Sequence, residues 1–382
     1  MYDVIVVGAR CAGSPTAMLL ARRGYRVLVV DKATFPSDTI SSHFLHQSGV
    51  STLKRWRLLD RVAATNAPGV TKMSFDAGPV RLVGSAPPYE DVPQGYCVRR
   101  KVLDKILVDA AVEAGAEVRE GFTVTEITRD EHDRVIGIRG HAFGGKTVTE
   151  QARLVIGADG VRSRCRELLV GLAAPKFSGN VAYRALFPTS LVAGMDLVDY
   201  EKWWGPRQWV FLSYFIRQHR DDYFIVAVAP QAEWPHETSS VPSSREEMRT
   251  AFAGFHPNVQ RQIAVIPSAT KWAVYDAEPL EVWSRGRVAL LGDACHSMTP
   301  YMGQGAAMAI EDGAMLTRCL DASKGDVGYA LQLYEANRKN RTIAMQRTSR
   351  ANTWLKSDAD PDWVFGYDVF EHEIVPPARK SA

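Results

Sequence analysis

Residues 287–312 combine features that narrow the folds open to this chain. An apolar run of strand type ends in Gly292-Asp293, and a loop with Pro300 leads to a helix that opens near Gly303-Gln304-Gly305. A carboxylate at the end of the strand can bind a polyol, and the N-terminus of the helix can face a ring that becomes negatively charged. The segment therefore predicts a strand–loop–helix unit that binds a ligand at the end of a strand.

The N-terminal residues predict a β-α-β unit. Residues 2–8 and 25–31 are apolar runs of strand type, and residues 14–23 between them are helical in pattern. Strands that are apolar throughout are typical of a parallel sheet covered on both faces. The first turn has glycines at positions 8 and 13, spaced as in a dinucleotide-binding loop, but Arg10 replaces the middle glycine. Two arrangements stay open: the Arg10 side chain is turned away, or its guanidinium contacts the phosphates itself.

Acidic residues mark two further strand ends. Asp31 closes the second strand, where a carboxylate can accept hydrogen bonds from ribose hydroxyls. Asp159 follows the apolar strand of residues 154–158; after it, Gly160 permits a tight turn and Ser163 can cap the next helix. Asp159 can tie this turn to neighbouring basic groups. Each segment also has a plain structural interpretation, as a solvated strand end or a capped strand–helix turn.

Other stretches carry the patterns of ordinary elements. Residues 40–62 are mostly helical in pattern, residues 70–84 alternate as a hairpin, and residues 124–150 form a meander of strands. Helices are expected over residues 103–114, 245–255 and from 312 to about 356, and a polar loop over residues 231–244.

Aromatic residues concentrate between positions 203 and 224. Residues 209–216 and 223–229 look like long strands joined by a charged turn. A sheet lined with aromatic side chains suits the wall of a pocket for a flat, apolar molecule. The alternative is that these side chains form an ordinary core, since aromatic residues dominate cores.

Composition argues against several classes of function. With 46 Lys and Arg against 43 Asp and Glu, the 382-residue chain has a net charge of only +3, which gives no reason to expect nucleic acid or an anionic membrane as a partner. No apolar run approaches the roughly 20 residues of a membrane-spanning helix. The five cysteines are scattered, so we expect reduced thiols in a cytoplasmic protein, without a disulfide framework or a metal site. The first strand is expected to begin at Tyr2, which leaves no room for a signal peptide.

In their order and spacing, these motifs resemble those of the group A flavin-dependent monooxygenases with the para-hydroxybenzoate hydroxylase fold. The resemblance covers about residues 3–312. Besides residues 8–13 and Asp31, it rests on D-G-x-x-S-x-x-R at residues 159–166 and on G-D-A-x-H-x-x-x-P-x-x-G-x-G at residues 292–305. The family also has an R-x-x-L segment whose arginine lies near the FAD pyrophosphate, and residues 100–103 of this chain match it. Two residues depart from the family: Arg10 replaces a glycine, and Ala307 stands where many members carry Asn.

The resemblance implies a fold of class α/β. It has a Rossmann-like FAD/NAD(P)-binding domain, an inserted α+β substrate domain with a mixed β-sheet, and C-terminal helices. The FAD-binding domain would comprise residues 1–70, 97–170 and 286–330, the substrate domain residues 71–96 and 171–285, and the C-terminal segment residues 331–382.

The resemblance also implies an activity. FAD would be reduced by NADH or NADPH and react with O2, and a flavin C4a-hydroperoxide would insert one oxygen atom into an aromatic or otherwise electron-rich small molecule, foremost by hydroxylation. Epoxidation and Baeyer–Villiger insertion stay open, as do the choice of nicotinamide cofactor and the state of assembly, monomer or homodimer. The protein's part would be orientation, electrostatics and exclusion of water.

Site residues follow from the same resemblance. The residues expected to bind FAD are Gly8, Arg10, Cys11, Ala12, Gly13, Asp31, Lys32, Arg100, Asp159, Gly160, Gly292, Asp293, Pro300, Gly303, Gly305 and Ala306. Residues expected beside the reactive ring are His46, Pro300 and Gly303. His296 lies near Asp293 in sequence, but the resemblance assigns it to the FAD-binding loop and not to catalysis as a base. Candidates for substrate contact are His43, Tyr183, Arg184, Trp209, Tyr214 and Tyr223; a structural hydrogen bond is the alternative for each.

Three alternatives compete with this hypothesis. A flavin-dependent halogenase would carry a W-x-W-x-I-P stretch, and a geranylgeranyl reductase-like enzyme acting on prenyl chains a Y-x-W-x-F-P stretch; this chain has neither. The third alternative is a flavin-binding protein without turnover that serves a partner through its aromatic segment.

Overall fold

The fold is that of a computed structural model, which describes residues 1–39, 41–85, 88–171, 175–205, 209–352, 360 and 362–377. The strands are β1 (Tyr2–Val7), β2 (Val27–Asp31), β3 (Phe44–Leu45), β4 (Gly69–Val70), β5 (Met73–Asp76), β6 (Arg81–Gly84), β7 (Gly95–Cys97), β8 (Glu117–Glu120), β9 (Thr123–Arg129), β10 (Val135–His141), β11 (Thr147–Gly157), β12 (Lys176–Pro188), β13 (Tyr200–Trp204), β14 (Val210–Ile216), β15 (Asp222–Pro230), β16 (Ser240–Ser243), β17 (Ala269–Asp276), β18 (Ser284–Arg285) and β19 (Val288–Leu290). The helices are α1 (Gly13–Ala21), α2 (Gln47–Arg55), α3 (Leu59–Ala63), α4 (Arg100–Glu113), α5 (Arg164–Val170), α6 (Arg245–Ala251), α7 (Pro257–Ala264), α8 (Asp293–His296), α9 (Gly305–Ala322), α10 (Val327–Ala351) and α11 (Asp362–Phe365).

The first sheet is built on parallel strands. Its order is β18-β19-β11-β1-β2-β8, and β11, β1, β2, β8 and β19 run parallel. Residues 4–7 of β1 and 27–30 of β2 are buried, as expected for strands covered on both faces. Helix α1 packs against both α4 and α9 and against β1 and β2 of this sheet. The predicted β-α-β unit and the α/β fold class are therefore confirmed.

The second sheet is mixed and mostly antiparallel. Its order is β16-β17-β12-β15-β14-β13-β5-β6, with β13 and β5 as a parallel pair. One face packs against α6 and α7. The opposite face packs against residues of the first half of the chain and of the loop before α9. We call these the covered face and the inner face.

Several local predictions are confirmed and others corrected. The hairpin with Gly78-Pro79 at its turn forms as β5 and β6. Helices α2 and α3 make up most of residues 40–62, as predicted, but Phe44 and Leu45 pair with β7 before α2 begins; Ile40 lies outside the described residues. The polar loop of residues 231–244 ends in β16, which pairs with β17 at the edge of the second sheet. Expected helical residues 353–356 also lie outside the described part.

The meander and the second apolar strand are joined rather than separate. The first half of β11 pairs antiparallel with β10, and its second half pairs parallel with β1. The strand therefore carries Asp159 directly to the end of the parallel sheet.

Two further observations concern the chain as a whole. All five cysteines are buried and unpaired. Within the described ranges, no helix has both the length and the apolar character needed to cross a membrane.

Candidate active site

The three sequence motifs meet because parallel strands end at one edge of the first sheet. The register pairs Val7 with Val30 and with Gly157, and Gly157 with Leu290. The residues that follow these strand ends therefore converge, although the first strand end, Val7, and the last, Leu290, lie far apart in the sequence. Open α/β sheets bind their ligands in the crevice outside this edge.

Two glycines shape the first turn. Gly8 has a φ of +106°, and a Cβ there would lie 2.3 Å from the carbonyl oxygen of Ala158. A Cβ at Gly13, the first residue of α1, would lie 1.8 Å from the carbonyl oxygen of Gly8. Only glycine allows the first and second motifs to approach this closely.

Arg10 is held by protein partners. Its Nη1 donates to Asp104 Oδ2 at 2.6 Å, its Nη2 donates to Ser37 Oγ at 3.1 Å, and its guanidinium lies over the Phe35 ring. The other oxygen of Asp104 accepts from Arg100 at 2.9 and 3.1 Å. The buried Asp104 thus fixes the side chains of both Arg10 and Arg100. The Arg10 side chain is turned towards α4.

The other residues predicted around this turn differ in their hydrogen bonds and in their exposure to solvent. Asp31 accepts from the backbone N–H of Ala9 at 2.7 Å and of Ala33 at 2.8 Å, so it braces the turn. Lys32 is exposed, whereas Ala12 and Cys11 are buried. Burial raises the pKa of the Cys11 thiol to about 12.

The second motif forms a capped turn and contacts the third. Ser163 Oγ accepts from the N–H of Arg166 at 2.9 Å, as predicted for a helix cap. Asp159 accepts from the Ser163 hydroxyl at 2.5 Å and from the N–H of Cys165 at 3.0 Å, and its negative charge opposes the lowering of the Arg166 pKa by burial. Arg166 donates to the carbonyl oxygen of Ala294 at 3.1 Å. Gly160 has a φ of +81°, as the tight turn requires.

Asp293 is the exposed member of a buried segment. Every other residue from 288 to 297 is buried. A Cβ built at Gly305 lies 3.9 Å from Asp293 Oδ1, which places this carboxylate beside the first turn of α9. Its position leaves it available to a ligand in the crevice.

The loop before α9 ends in a glycine-rich helix start. Gly303 has a φ of +66°, and a Cβ there would lie 3.5 Å from His46 Nε2. The side chain of Gln304 is buried, and its Nε2 has no hydrogen-bond partner among the described residues. Ala306 is partly buried, and Ala307, the departure from the family pattern, is buried. The site thus offers an unpaired donor on Gln304, an exposed carboxylate on Asp293, and glycines that leave room beside the backbone. These features fit a ligand with hydroxyl groups and a polar ring, as FAD has.

A buried ion network supports this loop from behind. Asp312 lies 2.5 Å from His296 Nε2 and accepts from the N–H of Gly292 and from Arg338 Nε at 2.9 Å each. Burial opposes ionisation of Asp312, but His296 and Arg338 together lower its pKa. His296 is fully buried against Asp312, in agreement with its assignment to the loop and not to catalysis as a base.

The structure divides the predicted substrate residues between the two faces of the second sheet. Tyr183, Tyr223 and Trp209 lie on the covered face. Tyr183 donates to Glu247 at 3.2 Å, and the Tyr223 hydroxyl lies 2.8 Å from Ser213 Oγ. Alternation along each strand turns these side chains away from the first sheet, so their prediction as substrate contacts is corrected.

Arg184, Tyr214 and His43 lie together on the inner face. Arg184 is centrally placed on β12, and its guanidinium lies 5.7 Å from the centre of the Trp272 ring. Its Nε and the Tyr214 hydroxyl are buried without a hydrogen-bond partner among the described residues. Burial lowers the pKa of Arg184 to about 10, which still keeps it charged at neutral pH.

Both predicted histidines are neutral in this site. The backbone N–H of Arg100 donates to His43 Nδ1 at 3.2 Å, so Nε2 of the neutral ring carries the proton. Burial, with the charge of Arg184, lowers the pKa of His43 to about 3. Burial, with the charge of Lys202, lowers the pKa of His46 to about 4.

Sequence reasoning missed several residues of the inner face. Lys202 is buried, donates to the carbonyl oxygen of Tyr301 at 2.9 Å and lies 4.5 Å from the centre of the Trp204 ring. Tyr200 stacks on Tyr214 with ring centres 5.6 Å apart. The alternation of positions 200, 202 and 204 along β13 could have placed these three side chains on one face.

Comparisons with known proteins agree with this geometry. Residues 1–350 match the family model described as FAD binding domain. The chain is 38% identical to a 6-hydroxynicotinate 3-monooxygenase of Bordetella bronchiseptica and 39% identical to one of Pseudomonas fluorescens, in both cases over 99% of this chain and 98% of the relative. Among solved structures, a salicylate hydroxylase substrate complex superposes with a TM-score of 0.78 at 23% identity, covering 97% of this chain and 96% of that one. CtdE in complex with FAD and a substrate gives a TM-score of 0.79 at 21% identity with the same coverage.

Proposed function

The chain belongs to the FAD binding domain family, and we propose that it hydroxylates the ring of a small aromatic carboxylic acid. The enzyme is an FAD-dependent aromatic monooxygenase that uses a nicotinamide cofactor and O2. When bound, FAD takes up reducing equivalents from the nicotinamide and activates O2. The finer step, the choice of an aromatic acid, is the proposal.

Arg184 is the observation that carries the proposal. It is a charged side chain on the inner face, without a carboxylate partner among the described residues, at the centre of an aromatic surface. A guanidinium matches a carboxylate with two parallel hydrogen bonds, which are among the stronger ones in proteins. Even a partly buried cation without a counter-ion is costly, and the carboxylate of a substrate would offset that cost.

Two neutral donors accompany Arg184. Burial raises the pKa of Tyr214, so its hydroxyl stays protonated and can donate. The neutral His43 can donate from Nε2, and its ring lies edge-on to Phe224 with centres 4.9 Å apart. We infer that these groups orient the ring substituents of the bound acid while the aromatic face packs against the ring.

The reacting end of the site lies at the loop before α9. We infer that His46, Pro300 and Gly303 flank the flavin ring, since His46 Nε2 is close to the position of Gly303. The N–H groups at the start of α9, an 18-residue helix, would stabilise negative charge on the reduced ring. His46 is neutral over the physiological pH range and can therefore serve as a hydrogen-bond partner without adding charge.

FAD itself would lie along the strand ends. We infer that the first turn, which includes Arg10, and Asp31 face its nucleotide part, Arg100 its pyrophosphate, and Asp293 its ribityl chain. Support comes from the crevice in which these residues converge and from the exposure of Asp293. We also keep as a proposal the domain division at residues 71–96 and 171–285, whose strands β5, β6 and β12–β17 share the second sheet.

Relatives support an acid as the substrate. Those named above act on 6-hydroxynicotinate, and others are named for 3-hydroxybenzoate and 3-amino-4-hydroxybenzoate, at 31–33% identity over 91% of this chain. Each compound is an aromatic carboxylate with a ring hydroxyl. All of these relatives are named as monooxygenases or hydroxylases. Their names favour an oxygenation reaction for this chain over the reductase, halogenase and partner-protein alternatives.

The test compares acids with their amides. NADH and NADPH oxidation and O2 uptake would be measured with 6-hydroxynicotinate, 3-hydroxybenzoate and salicylate, and with the matching carboxamides. We expect at least one acid to stimulate both rates and to yield a product that carries oxygen from isotopically labelled O2, whereas its amide has a much higher KM. Equal stimulation by acid and amide would contradict the assignment of Arg184.

A further inference from the structure

A short C-terminal helix reaches the reacting end of the site. Phe365, the last residue of α11, lies beside His46 with ring centres 5.1 Å apart. The His46 ring also contacts Phe44, with centres 4.4 Å apart. His46 thus contacts an aromatic residue of the N-terminal part and one from the distant end of the chain.

Hydrogen bonds from an arginine that is itself ion-paired fix α11 in this position. Arg341 of α10 donates to the carbonyl oxygens of Trp363 and Val364, the latter at 3.2 Å. The same guanidinium pairs with Glu311 of α9 at 2.9 and 3.2 Å. Glu311 directly precedes Asp312, which supports the loop of the third motif. The contact between Phe365 and His46 is therefore tied to the same helix that begins at the flavin loop.

Apolar packing joins α11 to that loop. Val364 is buried in a cluster with Met302, Met308 and Met345, and Trp363 and Phe365 pack against it. Met302 directly precedes Gly303, and Met308 lies in the first turns of α9. A segment that is anchored by both charge and apolar burial is placed to act as a fixed part of the pocket.

We propose that residues 362–365 form one wall of the pocket for the flavin ring, with Phe365 covering His46 and excluding water from that end. The proposal rests on the proposed function, because that function places the ring beside Gly303. The match to the family model ends at residue 350, so this wall is formed by residues beyond the part that matches. Exclusion of water matters there because water favours release of the activated oxygen as H2O2 before it reaches the substrate. NAD(P)H, O2 and a proton are then converted into NAD(P)⁺ and H2O2, and the substrate is not oxygenated.

The test uses the FAD-loaded enzyme and a graded series at one position. Phe365→Leu, Phe365→Val and Phe365→Ala are compared for quenching of flavin fluorescence by iodide, which reports access of solvent to the ring without turnover. We expect quenching to increase severalfold from wild type to Phe365→Ala, with Phe365→Leu close to wild type. In parallel, the share of NAD(P)H oxidation that ends as H2O2 in the presence of substrate should rise in the same order.

Phe370→Ala is the matched control. Phe370 belongs to the same C-terminal region, but its ring lies under the Arg55 guanidinium, and it has no ring contact with His46 among the described residues. Its variant should match wild type in both measurements. Iodide quenching that is unchanged across the Phe365 series would overturn the proposal that these residues form a wall of the pocket. That conclusion would hold even if aromatic acids prove to be substrates. Increased quenching without any aromatic acid as substrate would instead refute the proposed substrate class and leave the wall standing.

Discussion

The carboxylates around the strand-end motifs and the polar groups of the inner face differ in how far the chain itself satisfies them. Four carboxylates, two near strand ends and two in the helices α4 and α9, already accept two or more bonds from within the chain: Asp31, Asp159, Asp104 and Asp312. On the inner face, Arg184 Nε and the hydroxyls of Tyr214 and Tyr301 are buried without a partner among the described residues.

This difference indicates two ways of building a binding site. The cofactor crevice is shaped in advance by internal bonds, and it exposes Asp293 to a ligand. The inner face keeps unsatisfied groups that a substrate can satisfy, which costs stability in its absence. Substitutions in the two regions should therefore change different properties, and the following predictions run from the largest expected effect to the smallest.

Arg338→Met should have the largest effect, on folding. Arg338 is fully buried and pairs with both Glu311 and Asp312, so its removal leaves Glu311 with Arg341 alone and the buried Asp312 with His296 alone. Removing one partner of a buried pair costs about 3–5 kcal/mol. We expect the free energy of unfolding in urea to fall by that order. The control is Arg350→Met on the same helix, whose partly exposed pairs with Asp276 and Glu278 should contribute less than about 1 kcal/mol.

Asp293→Ala should release FAD while the protein stays folded. Loss of a hydrogen bond to a charged group costs about 1.5–3 kcal/mol, which corresponds to roughly 10- to 100-fold weaker binding. The dissociation constant of FAD, from fluorescence titration of the apoprotein, measures the effect. Asp293→Asn keeps the size and an acceptor and should bind FAD with intermediate strength. A variant that keeps wild-type affinity for FAD would remove Asp293 from the cofactor site.

Arg184→Met should weaken substrate binding without weakening the fold. Loss of the charged hydrogen bonds should raise KM for the aromatic acid about 10- to 100-fold. The melting temperature should stay equal or rise, since the side chain has no counter-ion to leave behind. This outcome is opposite to that of Arg338→Met, which removes a fully buried arginine, whereas Arg184 is partly buried. Arg184→Lys keeps the charge without the paired geometry and should fall in between. A clear drop in melting temperature for Arg184→Met would contradict this prediction. It would show that Arg184, like the carboxylates of the cofactor region, makes stabilising interactions within the protein.

Acid should destabilise the wild type through its neutral histidines. His43 has a folded pKa of about 3, below its unfolded value of about 6.5. Between these values the unfolded chain binds a proton that the folded chain does not, so stability is present above pH ~6.5 and is lost as pH falls. At pH ~5 the expected loss is about 2 kcal/mol for this group.

His43→Asn isolates this contribution. Asn can still accept from the Arg100 N–H, and it tolerates the φ of +57° at this position. Melting temperatures at pH ~7 and ~5 should differ less in the variant than in the wild type. An equal difference in the two proteins would mean that His43 titrates normally.

The sequence predicted the cofactor region well because its signals are local. Gly8, Gly13 and Gly292 occupy positions where a Cβ would collide with backbone or contact a neighbouring loop, so their identity reports the geometry directly. Period-two and apolar patterns placed β1, β2 and the hairpin of β5 and β6. Short pairings such as β3 with β7 and β16 with β17 were missed, because they are set by distant partners and not by local propensity.

The substrate side was predicted only in part. Six candidates were chosen by residue type, but the alternation of β12, β14 and β15 sends Tyr183, Tyr223 and Trp209 to the covered face. Phe365 had no local signal at all, since its contact with His46 spans more than 300 positions.

By itself, the sequence determined the class of fold and the ends of the strands that face the cofactor. Glycine positions and strand-end carboxylates are fixed by backbone geometry, which acts over a few residues and can be read one segment at a time. Only the tertiary structure decided which charges are satisfied: Arg338 is enclosed by carboxylates, while Arg184 faces an aromatic surface without one. The physical reason is that burial and charge pairing depend on which side of a sheet a side chain takes and on what distant element packs against it.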